Sequence, residues 1–172
     1  MMRHTIAALV ENRPGVLTKV SGLFSRRRFN IESLAVGVTE RPDVSRITIV
    51  VAGDDTVLEQ VIKQLNKLID IIHVTELSPK NSVSRELALI KVGVDSATRS
   101  EVMQIVGVFR AKIIDVATDS LIVEVTGDRN KVAAIEHLLS QFGIKELVRT
   151  GDIALHRSST TAEDIAHHGE VN

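Results

Sequence analysis

The chain contains no cysteine, no tryptophan and no tyrosine, and only 4 phenylalanines among its 172 residues. Without cysteine it can form no disulfides, thiol nucleophiles or thiolate metal sites, and the cytoplasm is the expected compartment. Modules that stack on nucleic-acid bases or on sugars need aromatic faces, which this sequence largely lacks. A net charge of -1 gives no electrostatic reason to expect a nucleic acid or an anionic membrane as partner.

Apolar residues are abundant but dispersed. They make up 44% of the chain, which excludes a disordered protein and supplies a core for one large domain or two small ones. No apolar run approaches the roughly 18 residues that a membrane-spanning helix needs. The first residues lead directly into a strand pattern, so we expect no signal peptide.

Residues that could carry catalysis or hold a metal are not grouped along the chain. The 6 histidines are scattered, and none has cysteine or acidic neighbours at metal-ligand spacing. The nucleophile-elbow, zinc-protease, phosphate-loop and dinucleotide motifs do not occur, and no acid is paired with a nucleophile. We therefore assign no catalytic residue and no metal site, and the sequence gives no support for an enzyme.

One order of predicted elements occurs twice. A strand, an amphipathic helix, two strands, a second helix and another strand follow one another up to residue 77. After a polar breaker at residues 78–82 the same order returns, beginning with a strand over 87–94. Residues 51–54 and 125–128 occupy matching places, each with a Gly-Asp pair before a helix. Each half is β-α-β-β-α-β, so we predict an α+β fold of two ferredoxin-like domains in tandem.

The pattern also predicts boundaries and buried faces. We assign residues 1–78 to the first domain, 79–83 to a linker, 84–157 to the second domain and 158–172 to a polar, flexible tail. Several strands are apolar on both faces, which favours sheet or edge pairing between the two halves or between two chains. The second helix should present one apolar face, formed by Val57, Leu58, Val61, Ile62, Leu65, Leu68 and Ile69.

Residues 12–17, which join the first strand to the first helix, are the most informative segment. Pro14 suits a first helical turn, where its missing N–H costs nothing, and Gly15 lets a ligand approach the backbone closely. The amides and the dipole at a helix start favour a carboxylate, and the Asn12 carboxamide can both donate and accept. Asn30 should open the second strand. Together they favour a pocket for a small zwitterion such as an amino acid, with an ordinary capped helix start as the alternative.

These residues also carry a family resemblance. Residues 12–17, 22–27 and 29–34 resemble an ACT domain, and more narrowly the small regulatory subunit of acetolactate synthase (acetohydroxyacid synthase); further similarity in the second half extends it to about residues 2–156. The resemblance implies that the first domain is an ACT domain forming a homodimer, with an effector between two such domains. Carried over, the effector-binding residues are Asn12, Pro14, Gly15, Val16, Asn30 and Ile31.

The resemblance further implies a non-catalytic chain without cofactors of its own. In that family a large subunit, which carries thiamine diphosphate, FAD and magnesium, joins two 2-oxo acids in branched-chain amino acid synthesis. The small subunit activates it and confers feedback inhibition by valine. A stand-alone amino-acid-binding regulator of another partner is the alternative. The corresponding loop of the second half, residues 95–99, lacks the Asn and the Pro-Gly pair, so we expect no effector site there.

Overall fold

The structure, a computed structural model, describes residues 2–157, so the tail predicted at 158–172 lies outside the described residues. The described chain divides into two compact units. The first unit comprises residues 2–83 and 152–157, and the second comprises residues 84–151. Among the described residues, no helix is both long enough and apolar enough to cross a membrane.

The first unit places two helices on one face of a four-stranded antiparallel sheet. The sheet has the strand order β2-β3-β1-β4, and its core includes Phe24, Ile47 and Leu65. The core forms because alternate residues of the strands and one stripe of each helix are apolar. The elements are β1 (Met2–Glu11), α1 (Val16–Arg27), β2 (Ile31–Val38), β3 (Val44–Gly53), α2 (Asp55–Leu65) and β4 (Ile71–Glu76).

The second unit repeats this arrangement with its own core. Its strands follow the order β6-β7-β5-β8, and its core includes Ile90, Val123 and Ile135. The predicted α+β fold of two β-α-β-β-α-β units is therefore confirmed. The elements are β5 (Ser82–Gly93), α3 (Arg99–Val108), β6 (Lys112–Val116), β7 (Ser120–Gly127), α4 (Arg129–Ser140) and β8 (Ile144–Arg149).

The matching Gly-Asp pairs begin the second helix of each unit in the same way. The Asp54 carboxylate accepts a hydrogen bond of 3.0 Å from the Val57 amide at the start of α2. The Asp128 carboxylate accepts one of 2.9 Å from the Lys131 amide at the start of α4. Both are side-chain caps that satisfy an amide with no partner inside the helix.

Two predicted boundaries differ from the structure. Helix α2 ends at Leu65, and Ile69 lies beyond it with 92% of its surface exposed, so the prediction that Ile69 joins the buried face is wrong. The apolar period continues past Leu65, but the chain turns there towards β4. Strand β5 begins at Ser82 rather than at Leu87, because the mainly polar residues 82–86 are already extended and Glu86 pairs with Gly127.

A strand that the sequence pattern does not predict follows the second unit. β9 (Ile153–His156) pairs with β5, and Ala154 is buried against Ala7 and Leu77 of the first unit. The Arg46 guanidinium donates to the Ala154 carbonyl at 2.7 Å. Residues 152–157 therefore group with the first unit, whereas the sequence places them in the second domain. A strand of 4 residues is too short to show a clear alternation.

Replacing the glycine of each Gly-Asp pair tests how tightly the chain packs at the start of α2 and of α4. Gly53→Ala is expected to lower the free energy of unfolding by about 1–3 kcal/mol, the usual cost of overpacking, because its Cβ would lie 2.7 Å from the Val57 Cβ. Gly127→Ala should cost less, since its closest contact is the Lys131 Cδ at 2.5 Å, on a side chain that can move. Urea unfolding followed by circular dichroism measures both, and equal losses would contradict the expectation.

Candidate functional site

The turn before α1 contains the Pro-Gly pair and has a defined geometry. Gly15 has φ 87° and ψ -11°, and the Val16 amide donates to the Arg13 carbonyl at 3.5 Å. Proline second and glycine third, with positive φ at the glycine, are the features of a type II turn. Pro14 therefore lies in the turn before the helix, and its predicted place in the first helical turn is wrong. Gly15 is required there by its backbone conformation.

The start of α1 is open to a ligand. No described side chain caps it, and its first turn contains no acidic residue. A Cβ built on Gly15 would have no atom within 4 Å, so the space above the turn is free. The unpaired amides and the dipole of a helix start together attract an anionic group. We call residues 12–16 the effector loop.

Asn12 is held by the protein more firmly than the sequence suggests. Its carboxamide nitrogen donates to the Pro42 carbonyl at 2.9 Å, and its carboxamide oxygen accepts from the Ser45 hydroxyl at 3.1 Å. Its backbone amide donates to the Asp43 carbonyl at 2.8 Å. Since a carboxamide has two N–H donors and two lone pairs, one donor and one acceptor site remain for a ligand. Asn12 thus both fixes the effector loop and can contact a bound molecule.

Only the main-chain groups of Val16 and Ile31 are fully available to a ligand. The Val16 side chain is buried in the core of the first unit, and Ile31 is partly buried against the same core. The apolar side chain of a ligand would therefore have to contact other residues, because these two already pack inwards. The sequence pattern could not distinguish a pocket-lining valine from a core valine.

The structure does not bring the six predicted residues together in one chain. At one end of the sheet Ser45 pairs with both Val10 and Val38, so the effector loop lies near the end of β2. At the other end, Ile31 pairs with Val51, and the exposed Asn30 precedes it. β2 has 8 residues, so these two groups are separated by about 23 Å at roughly 3.3 Å per residue.

The outer side of β2 is an apolar edge. β2 ends the strand order of its sheet and has no further strand partner among the described residues. Val36 and Val38 are 48% and 59% exposed, and Leu17 on α1 is 44% exposed. An unpaired edge with exposed apolar side chains is a surface on which another strand can add.

The corresponding loop of the second unit is held together by hydrogen bonds to its own aspartate. The Asp95 carboxylate accepts hydrogen bonds from the Ala97 amide at 2.9 Å, the Thr98 amide at 2.8 Å and the Thr98 hydroxyl at 2.9 Å. These bonds hold the pKa of Asp95 below its ordinary value of 3.8. The Asp95 carboxylate therefore takes two amides of the loop before α3, although the start of α3 itself, like that of α1, has no side-chain cap.

Within the described part of the chain, titratable residues outside the effector loop do not form a second site. The buried His4 ring lies 3.4 Å from the Glu76 carboxylate and 3.9 Å from that of Asp55. Burial lowers the pKa of His73, which keeps this ring neutral near pH 7. Within residues 2–157, no group of three or more His, Cys, Asp or Glu side chains is placed to hold a metal ion.

Comparisons with known proteins agree on one family. Residues 6–73 match the family model "AHAS small subunit-like ACT domain", and residues 85–158 match "Small subunit of acetolactate synthase". The chain is 60% identical over 158 residues to a protein of Archaeoglobus fulgidus named "Probable acetolactate synthase small subunit", covering 92% of this chain and 99% of that protein. The chain belongs to the family of acetolactate synthase small subunits.

Two further comparisons extend over nearly the whole chain. An acetolactate synthase small subunit of Mycobacterium bovis is 56% identical over 154 residues, covering 90% of this chain and 92% of that protein. The crystal structure of the acetolactate synthase small subunit from Thermotoga maritima is similar with a TM-score of 0.85 and 46% identity, covering 93% of this chain and 100% of that one. The predicted family and its ACT domain are confirmed.

The sequence pattern missed the partners that orient the effector loop. Ser45 and the carbonyls of Pro42 and Asp43 hold Asn12, and nothing in their local spacing marks them. The turn before β3 could be recognised from Pro42 and Asp43. Their contact with Asn12, however, depends on the pairing of β1 with β3. That pairing joins distant parts of the chain, since Ser45 lies 33 residues after Asn12.

The hydrogen bonds to the Asp95 carboxylate in the loop before α3 give a pH-dependent prediction. Because the folded pKa of Asp95 is lowered, its contribution to stability is present well above pH 3.8 and is lost as the pH falls through the lowered pKa. Asp95→Ala should therefore melt below the wild-type chain at pH 7, and the difference should narrow towards pH 3. Thermal melts followed by circular dichroism check this, and a difference independent of pH would contradict it.

Proposed function

We propose that this chain is the non-catalytic regulatory subunit of acetolactate synthase, and that it senses valine through the effector loop. In this proposal it binds and activates a large subunit, expected in the cytoplasm, that carries thiamine diphosphate, FAD and magnesium and performs the reaction. The observation that carries the sensing role is the uncapped start of α1 behind a Pro-Gly turn, with open space above Gly15. Membership of the family supports the role of the partner.

The effector would bind through its charged groups. Its carboxylate would receive hydrogen bonds from the main-chain amides at the start of α1, where the helix dipole also favours negative charge. The remaining N–H of the Asn12 carboxamide would point a second donor at the same group, and the remaining lone pair could accept from the ammonium. This arrangement selects an α-amino acid over a simple carboxylate, because both ends of the zwitterion are engaged.

A second copy of the chain would complete the site. A two-fold dimer that joins the β2 strands edge to edge aligns them antiparallel. The start of β2 in one copy then lies beside the end of β2 in the other. Asn30 and Ile31 of one copy would therefore approach the effector loop of its partner, although the two groups are far apart in a single chain. The same pairing would cover Val36, Val38 and Leu17.

A charge placed on the proposed dimer edge tests this pairing. Val36→Asp should convert a dimer into a monomer of 18.8 kDa, because it would bury an unpaired charge in the apolar contact between the paired strands. Ile69→Asp is the matched control, since Ile69 is 92% exposed and lies outside every described strand. Sedimentation velocity measures both masses. A Val36→Asp variant that stays dimeric would place the interface elsewhere.

The effector site itself is tested by calorimetric titration with valine, leucine, isoleucine and alanine. Gly15→Asp should abolish binding of branched-chain amino acids, because it puts a carboxylate where that of the effector would bind. Gly143→Asp is the control, because Gly143 has the same φ of 87° and the same open space but lies in the second unit. If both variants lose binding, the cause is a loss of folding, and if Gly15→Asp still binds, the site lies elsewhere.

The alternative function is a stand-alone amino-acid-binding regulator. It shares the effector loop, so titration of the isolated chain does not distinguish the two. Acetolactate formation by the large subunit does: the regulatory-subunit proposal expects this chain to raise the rate and valine to lower it again. Effector binding without any effect on the large subunit would favour the alternative.

A further inference from the structure

The effector loop is only weakly closed by its own hydrogen bonds. The bond that closes the turn, from the Val16 amide to the Arg13 carbonyl, is 3.5 Å long, at the outer limit of hydrogen-bond length. The Arg13 amide donates to the Glu11 carbonyl at 2.9 Å, which restrains only the first part of the loop. Asn12 holds the start of the loop through Pro42, Asp43 and Ser45, so the position of the Pro-Gly turn beyond it depends on how the chain on either side of the loop is anchored.

One buried residue anchors both ends. The main-chain carbonyl of Asp70 accepts a hydrogen bond of 2.9 Å from the amide of Glu11, the residue just before the loop. The Asp70 carboxylate accepts one of 2.6 Å from the ammonium of Lys19. Lys19 lies one turn into α1, where its own amide donates to the Gly15 carbonyl at 3.0 Å. Asp70 thus connects the end of β1 to the start of α1 across the loop.

The surroundings of Asp70 make this connection rigid. Its side chain is only 12% exposed, so the carboxylate is poorly solvated and depends on the Lys19 ammonium for compensation. A charge-assisted hydrogen bond of this length is stronger than one between neutral groups. Lys19 itself is half exposed, so the buried carboxylate is the fixed partner that determines where the ammonium, and with it the first turn of α1, is held.

We propose that Asp70 is a positioning residue of the effector site, holding the effector loop in its binding conformation through Glu11 and Lys19. This inference rests on the proposed function, because it concerns the loop that the effector would contact. A preordered loop binds more tightly, since less conformational freedom is lost on binding. Asp70 contacts no effector and acts through the loop alone.

Asp70→Asn and Lys19→Met in the full-length chain test the proposal. Each should raise hydrogen exchange at the amides of residue 13 and residues 15–18 and weaken valine binding by roughly tenfold, as expected for the loss of a charge-assisted bond. Asp119→Asn is the matched control, because Asp119 forms an ion pair of the same 2.6 Å with Lys145 in the second unit. It should change neither quantity. The double variant of Asp70 and Lys19 should lose little more than either single variant.

The two measurements separate this inference from the proposed function. If the wild-type chain binds no branched-chain amino acid, alone or with the large subunit, the proposed function fails, while hydrogen exchange at residue 13 and residues 15–18 still decides the role of Asp70. Unchanged exchange there in Asp70→Asn would overturn the inference, whatever the titration shows. An equal effect of Asp119→Asn on the loop would overturn it too, because the cause would then be a general loss of stability.

Discussion

The direction of the strands in the first sheet is the constraint on which the candidate site depends. Because β1 and β2 both pair antiparallel with β3, they run in the same direction, and the effector loop after β1 lies at the opposite end from Asn30 before β2. No side-chain movement can bring these two groups together within one chain, since a whole strand separates them. If both contact one effector, two copies must meet with their β2 edges antiparallel. Dimerisation and effector binding are then two aspects of one interface.

The two units share one fold but differ in the loop before their first helix. Asp54 and Asp128 begin α2 and α4 with the same hydrogen bond, so the scaffold is repeated faithfully. The loops before the first helices differ: Gly15 leaves open space before α1, whereas the Asp95 carboxylate accepts from two amides of the loop before α3. In the proposed function, the site would therefore reside in the loop rather than in the shared fold.

Whether the sequence predicted a feature of this structure depends on how far apart along the chain the residues that determine it lie. The Gly-Asp pairs before α2 and α4 and the two β-α-β-β-α-β units follow from local spacing, and they were predicted. The end of α2 was not, because the apolar period runs on to Ile69 although the chain has already turned. The short strand β9 and the contacts of Asn12 with Ser45 were not predicted either, since they depend on pairing between distant segments. The residue types of the site were visible, but their separation into two groups required the strand order.

In the proposed function, valine would couple to the large subunit through the dimer edge. An effector held between two copies must stabilise their pairing by the same factor by which pairing raises its affinity, and it shifts the large subunit only if that subunit distinguishes the paired arrangements. The first unit provides a direct connection for such a shift. Asn12 bonds to Ser45, and Ser45 pairs with Val38 at the end of β2. Further along β2, the Ser33 hydroxyl accepts from the Asp152 amide at 2.8 Å. A displacement of the effector loop would therefore move the same strand that forms the dimer edge and holds the segment following the second unit.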